Sequence, residues 1–178
     1  MKPIGIRRIS EWSPLLMLVA VSAFLSSQSA VARELARPTG TVLLTVTGNV
    51  DKTNQDGAAL FDREMLAAFP LHRIVTTTPW TDGIKQFEGI LLRDLLREVG
   101  AKGHSLHASA LNDYRIEIPV SDAEQFGVLI AIRMDGQPLH RRDKGPLWIV
   151  YPRDSIPTLQ DERYDSRWVW QLHKIEVR

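Results

Sequence analysis

The chain has 178 residues, with 22 Lys plus Arg against 21 Asp plus Glu, 44% hydrophobic and 24% charged residues, and no cysteine. That length suits one domain with a minor appendage, and the ordinary composition sets it apart from disordered and fibrous chains. A formal net charge of +1 provides no field that recruits nucleic acid or anionic lipid, and the missing thiol excludes disulfides, thiolate catalysis, Cys-ligated zinc and iron–sulfur clusters.

Lys2, Arg7 and Arg8 make a basic start, Leu15–Leu25 is apolar, and Ser29-Ala30-Val31-Ala32 offers the small-x-small pattern that signal peptidases cut. A bilayer span needs about 20 apolar residues, and Ser26, Ser27, Gln28 and Ser29 stop this run early. Arg7-Arg8 suggests a twin-arginine signal, but Ile9, Ser10 and Glu11 follow where that signal expects a hydrophobic pair. The expectation is a leader at 1–32, a mature domain at 33–178 exported unfolded to the periplasm, and no membrane span in the mature chain.

Thr41–Thr47, rich in β-branched residues and ending at Gly48-Asn49, predicts the first strand, followed by a polar loop to Gly57. Asp62 suits an N-cap, with a short helix from Arg63 to Phe69 stopped by Pro70. His72–Thr78 predicts a strand. Leu91, Leu92, Leu95, Leu96 and Val99 recur at one-turn spacing before Gly100, the mark of an amphipathic helix with a left-handed cap. Strands at Ser105–Ala110 and Tyr114–Pro119 flank a turn at Leu111, Asn112 and Asp113. Ser121 and Glu124 form a capping-box pattern opening a single helical turn. Val128–Met134 runs into the hairpin signal Asp135-Gly136, Leu147–Tyr151 is a buried strand, and in Leu172–Val177 Leu, Lys and Glu alternate with His, Ile and Val. With about two strands per helix and no linker or repeat, the pattern is a single α+β unit with a mixed or mainly antiparallel sheet under small helices.

The five histidines do not cluster; the closest pair, His104 and His107, is three apart in an extended segment and faces opposite ways, so no metal site is expected. Gly-x-Ser-x-Gly, Walker, Gly-x-Gly-x-x-Gly and His-Glu-x-x-His patterns are absent. What remains is aromatics beside polar turn residues. Trp80 lies between Thr76-Thr77-Thr78-Pro79 and Thr81-Asp82-Gly83, and either offers a flat face to a ligand or covers one end of the core. Asn112-Asp113-Tyr114 combines an amide, a carboxylate and a phenol on one turn, and Tyr151-Pro152-Arg153-Asp154 repeats that palette. Trp168 and Trp170 share one face, with core packing the default for at least one. Arg141-Arg142-Asp143-Lys144 reads as a solvated loop, with partner or phosphate binding the lesser reading.

The ordered segments Phe87-Glu88-Gly89-Ile90-Leu91-Leu92-Arg93-Asp94-Leu95-Leu96, Asp135-Gly136-Gln137-Pro138-Leu139, Gly145-Pro146-Leu147-Trp148-Ile149-Val150-Tyr151-Pro152, Arg167-Trp168-Val169-Trp170-Gln171-Leu172 and Ile175-Glu176-Val177 resemble the molybdopterin-binding domain of sulfite oxidase-like oxidoreductases. The resemblance implies that family's α+β fold and a pterin cleft formed by loops. In its enzymes a cysteine from the loop after the second main strand ligates molybdenum, whereas the matching stretch here, Thr76 to Trp80, has none. Threonine hydroxyls are hard, protonated donors and poor substitutes for a soft thiolate.

The chain is also similar, through Asn112-Asp113-Tyr114 and Tyr151-Pro152-Arg153-Asp154, to small cysteine-lacking periplasmic proteins of the same fold. These bind reduced pterins and signal to an inner-membrane sensor carrying cyclic-di-GMP synthesis and degradation modules. This second resemblance implies a pterin-binding regulator without catalysis or metal, of the kind that controls biofilm formation. Its expected ligand contacts are Trp80, Asn112, Asp113, Tyr114, Tyr151, Arg153 and Asp154, with Trp80 or Tyr114 stacking on the pterin and Asp113 or Asp154 reading its aminopyrimidinone edge. A molybdopterin-dependent oxidoreductase with a non-cysteine metal site and a ligand-free scaffold of the same fold are the alternatives.

Overall fold

A computed structural model describes residues 35–178; the expected leader at 1–32 lies outside the described residues. Two five-stranded sheets organise this part of the chain. The first contains β1 (Leu44–Gly48), β2 (Ala59–Phe61), β5 (Ser105–Ala110), β6 (Arg115–Pro119) and β10 (Leu172–Val177). Its order is β2-β1-β10-β5-β6. Only β1 and β10 run parallel; the other pairs are antiparallel. The second contains β3 (His72–Thr78), β4 (Thr81–Leu91), β7 (Leu129–Met134), β8 (Gln137–Pro138) and β9 (Trp148–Val150). Here β3-β4-β7-β8 lie in order and β9 pairs with the other end of β7. The expected α+β class with mainly antiparallel pairing is what the chain adopts, in two sheets where one was expected.

Four short helices, α1 (Arg63–Ala67), α2 (Leu92–Glu98), α3 (Val120–Phe126) and α4 (Glu162–Asp165), and a 3₁₀ turn at Pro157–Gln160 fill the connections. Asp62 caps α1 as expected: its carboxylate accepts from Met65 N–H at 2.9 Å and also from Thr39 and Gly40 N–H, both at 2.8 Å. These three bonds hold the carboxyl below its ordinary pKa, Met65 and Gly40 contributing most. On α2, Leu92, Leu95 and Leu96 are buried, and Val99 follows in the same stripe. Gly100 then takes φ +64° and ends the helix.

One segment that the sequence left unassigned forms a strand, and two expectations change. Segment Thr81–Leu91 forms the longest strand, with Gly89 opposite Ala131 at a bulge. A Cβ on Gly89 would lie 2.0 Å from the Ile130 carbonyl oxygen, so the approach requires glycine. The expected capping box does not form: α3 starts at Val120 after Pro119, while Glu124 binds Arg97 across the surface at 2.8 Å. In β10, a bulge between Leu172 and Lys174 shifts the phase, so Leu172 is buried together with Ile175 and Val177.

The core runs continuously between the sheets. Leu44, Val46, Leu106, Ala108, Ile118, Ile175 and Val177 contribute from the first sheet; Phe87, Ile90 and all of Trp148–Val150 contribute from the second. Phe87, Trp148, Trp168 and Tyr151 form an aromatic cluster within it, with the Phe87 and Trp148 rings meeting edge to face at 5.2 Å.

Candidate functional site

Strand β3 ends in the threonine stretch where the resemblance places a metal ligand. Thr76 is buried; its hydroxyl donates to Thr77 O at 3.2 Å and accepts from Asp154 N–H at 3.1 Å. Thr77 donates both its N–H and its hydroxyl to the Asp154 carboxylate, each at 2.6 Å. The Thr78 hydroxyl pairs with that of Thr81 at 2.8 Å and accepts from Trp80 N–H at 3.0 Å. Each of the three hydroxyls is therefore engaged within the protein, and none is a thiolate, so this stretch does not fit the molybdenum of the family's enzymes. Among the described residues no group of three or more His, Cys, Asp or Glu could hold a metal ion.

The turn that follows Thr78 carries Trp80 into a cavity of about 220 Å³ lined by Trp80, Ala110, Asn112, Tyr114, Asp165, Ser166, Trp168 and Trp170. Three stretches of chain build it: the β3–β4 turn, the end of β5 with the β5–β6 turn, and the run from the end of α4 toward β10. Trp80 stands 5.7 Å from Trp168 and 5.3 Å from Trp170, tilted by 53° and 74°, so its indole packs edge-on against the other two and the three rings form one aromatic wall of the cavity. The Trp168–Val169–Trp170 segment is pinned by Val169 O, which accepts from Ile149 N–H at 2.9 Å. Lys144 Nζ lies 4.5 Å from the Trp170 ring, packing a cation against one indole of the site. Tyr114 donates its hydroxyl to Ser166 O at 2.7 Å, bridging the β5–β6 turn to the end of α4; partial burial raises its pKa.

The structure thus brings Trp80, Asn112 and Tyr114 together and leaves the other four expected contacts outside the cavity lining. Asp113 takes φ +64° at the exposed tip of the β5–β6 turn, a backbone role that suits a short polar side chain. Asp154, expected to read a ligand edge, instead ties the loop after β9 to β3 through the threonine bonds above. Tyr151, expected at the ligand, has no exposed surface; its hydroxyl donates to Asp122 Oδ2 at 2.9 Å. Asp122 is itself buried and also pairs with Arg167, whose guanidinium lies 4.6 Å from the Tyr164 ring. Burial first, then the Asp122 charge, pushes the Tyr151 phenol far above its ordinary pKa, so it serves as a neutral donor. Arg153 stands behind the cavity, its Nε 3.5 Å from Asp165 Oδ1.

The cavity residues not expected from sequence are Ala110, Asp165 and Ser166, together with the commitment of both Trp168 and Trp170 to the lining. The Arg167-to-Leu172 segment carried part of the family resemblance, which was a usable signal for the two tryptophans. Asp165 and Ser166 had none. A wider hollow of about 380 Å³, lined among others by Leu35, Lys52, Phe61, Phe69 and Glu98, contains none of the expected residues.

No curated protein matches the chain. Residues 44–155, which contain β1 through β9 and both turns that line the cavity, match the model of the oxidoreductase molybdopterin binding domain, and the chain belongs to that family.

Proposed function

We propose that this protein is a periplasmic pterin-binding regulator, without catalysis of its own, that acts on the periplasmic domain of an inner-membrane diguanylate cyclase/phosphodiesterase. The observation that carries this reading is the pairing of an aromatic-walled cavity with a threonine stretch whose hydroxyls are all engaged. A flat heterocycle suits such walls, while molybdenum lacks its thiolate. The leader-like first 32 residues support export, and the similarity through Asn112–Tyr114 and Tyr151–Asp154 supports the signalling role. Ligand occupancy biases the partner only through the difference in affinity between bound and free forms, and Trp80, Asn112 and Tyr114 lie on turns able to carry that difference to the surface.

The test is to purify the protein from its native periplasm, denature it, and assay released pterin by fluorescence and mass spectrometry with molybdenum on the same sample. Pterin without metal, and co-purification of a membrane sensor, are expected. Near-stoichiometric molybdenum would instead make the protein an oxidoreductase with an unusual ligand set. Neither pterin nor metal, with partner binding intact, would make it a scaffold.

A further inference from the structure

The β3–β4 hairpin leaves one edge of the second sheet open. Strand β3 is seven residues long, and among the described residues no strand lies beyond it. The other outer strands are short or guarded: β2 and β9 have three residues, β8 has two, and β6 carries Arg115, Glu117 and Pro119. Leu71, Val75 and Ile84, at 51, 53 and 66% exposure, are the most exposed large apolar side chains among the described residues. All three belong to this hairpin or the residue before it.

Backbone direction shows which groups the edge offers. Gln86 of β4 donates its N–H to Asp135 Oδ1 at 3.0 Å, and its carbonyl accepts from Asp135 N–H at 2.8 Å, on the side away from β3. Val75, opposite Gln86, is therefore in a non-hydrogen-bonded pair and turns its own N–H and C=O outward, away from β4. Thr77, two residues on, faces the same way, and its N–H meets the Asp154 carboxylate at 2.6 Å. Arg73, two residues back in the same ladder, also faces outward. Among the described residues, the backbone of neither Arg73 nor Val75 has a partner on that side.

We propose that this edge pairs with a second copy of the chain, β3 running antiparallel to β3 about a two-fold axis at Ile74. In that register the open groups match themselves: Arg73 of each copy faces Val75 of the other, and each outward N–H meets an outward C=O. A register centred on Val75 would set Arg73 against Thr77, whose N–H is held by Asp154 and whose C=O accepts from the Thr76 hydroxyl at 3.2 Å. The side chains agree. Glu88 of the same copy holds Arg73 at 2.9 Å, so its charge is met and its stem can cover Val75 of the other copy. The occupied groups of Thr77 end the pairing at both sides, and the two-fold contact closes as a dimer instead of growing into a fibre. A contact of a few residues per copy lies below the ~1,200 Å² of stable interfaces, so the dimer is reversible and concentration-dependent. It does not rest on the pterin reading.

Sedimentation velocity on the mature protein from about 10 µM to about 1 mM should show the coefficient rising from monomer toward dimer. Hydrogen exchange followed by NMR over the same range should slow at the Arg73 and Val75 amides and stay constant at Thr77, which is already bonded. Val75→Pro is the direct variant. The N–H it removes faces outward, so the β3–β4 ladder stays intact, while self-association should weaken by about 10-fold or more. Ile84→Lys, on the same hairpin but away from the edge, should dimerise as before. A coefficient that does not rise by about 1 mM would overturn the proposal. So would a dimer whose Arg73 and Val75 amides exchange as fast as in dilute protein, a readout that decides the matter even if Val75→Pro does not fold. Loss of the dimer in Ile84→Lys with Val75→Pro unaffected would also overturn it, by placing the contact on the face of the hairpin.

Discussion

Replacing Tyr151 by Phe separates a buried structural role from a ligand contact. The substitution deletes one hydroxyl and leaves the ring among Phe126, Tyr164 and Trp168, whose centroids lie 6.5, 6.3 and 6.3 Å away. The cavity it creates is small, so the cost is that of the lost 2.9 Å bond to the Asp122 carboxylate. Hydrogen bonds to charged groups contribute about 1.5–3 kcal/mol. Asp122 keeps Arg167, which places the expected loss near the middle of that range, about 2 kcal/mol. For a domain of this size that corresponds to a melting temperature lower by about 6–8 °C. Urea unfolding should show a lower midpoint with an unchanged slope, because the surface exposed on unfolding is the same. Pterin affinity should not change. A stability loss below about 0.5 kcal/mol would refute the assignment of the buried bond, and a collapse of pterin affinity in a folded variant would return Tyr151 to the site.

Trp80→Ala should lower pterin affinity by about 5- to 150-fold, the range of ring stacking on an aromatic face, while cooperative unfolding persists; affinity equal to that of the unmodified protein would take Trp80 out of the site. Gly89→Ala should cost more than about 3 kcal/mol or prevent folding, since its Cβ would overlap the Ile130 carbonyl; a soluble variant of normal melting temperature would contradict the close β4–β7 approach. Asp62, Asp135, Asp161 and Glu176 all titrate below their ordinary values. Backbone N–H groups led by Met65 cause this at Asp62, and the Gln86 N–H followed by Lys85 at Asp135; Arg163 holds Asp161 at about 2, and Arg178 lowers Glu176. Depressed folded pKa values mean that the unfolded chain takes up protons first as pH falls. The stabilisation is complete above about pH 5 and lost progressively toward about pH 2. Urea midpoints measured across that window should fall steadily, and a flat profile would exclude these carboxylates as contributors.

Strand β3 is legible residue for residue because Ile74, Val75 and the three threonines favour extended backbone wherever they are placed. Helix α2 is equally plain, its leucines repeating once per turn. Strand β4 is not, since Gly83, Lys85, Gln86 and Glu88 have weak strand preference. Pairing with β3 on one side and β7 on the other makes it a strand, and that information is tertiary. The site divides the same way. Trp80, Asn112 and Tyr114 announce themselves as aromatic and polar groups on turns. Asp165 and Ser166 sit at the end of a four-residue helix without a periodic signal, and they join the cavity lining only when the β5–β6 turn is folded beside them. Tyr151 looked available because its partner, Asp122, is 29 residues away in sequence.

The central position of β10 has a consequence for how the chain folds. Residues 172–177 lie between β1 and β5, joining the earliest strand of the sheet to its middle ones. Until that segment arrives, β1–β2 and β5–β6 are separate hairpins, and two-stranded ribbons are marginal in water. Closure across more than 120 residues makes this sheet a late, all-or-nothing event with a high contact order. A fragment trimmed to the family match at 44–155 would keep Trp80, Asn112 and Tyr114 but lack the strand that unites the first sheet. Such a fragment should show no cooperative thermal transition, so the unit that folds is longer than the unit the family model recognises.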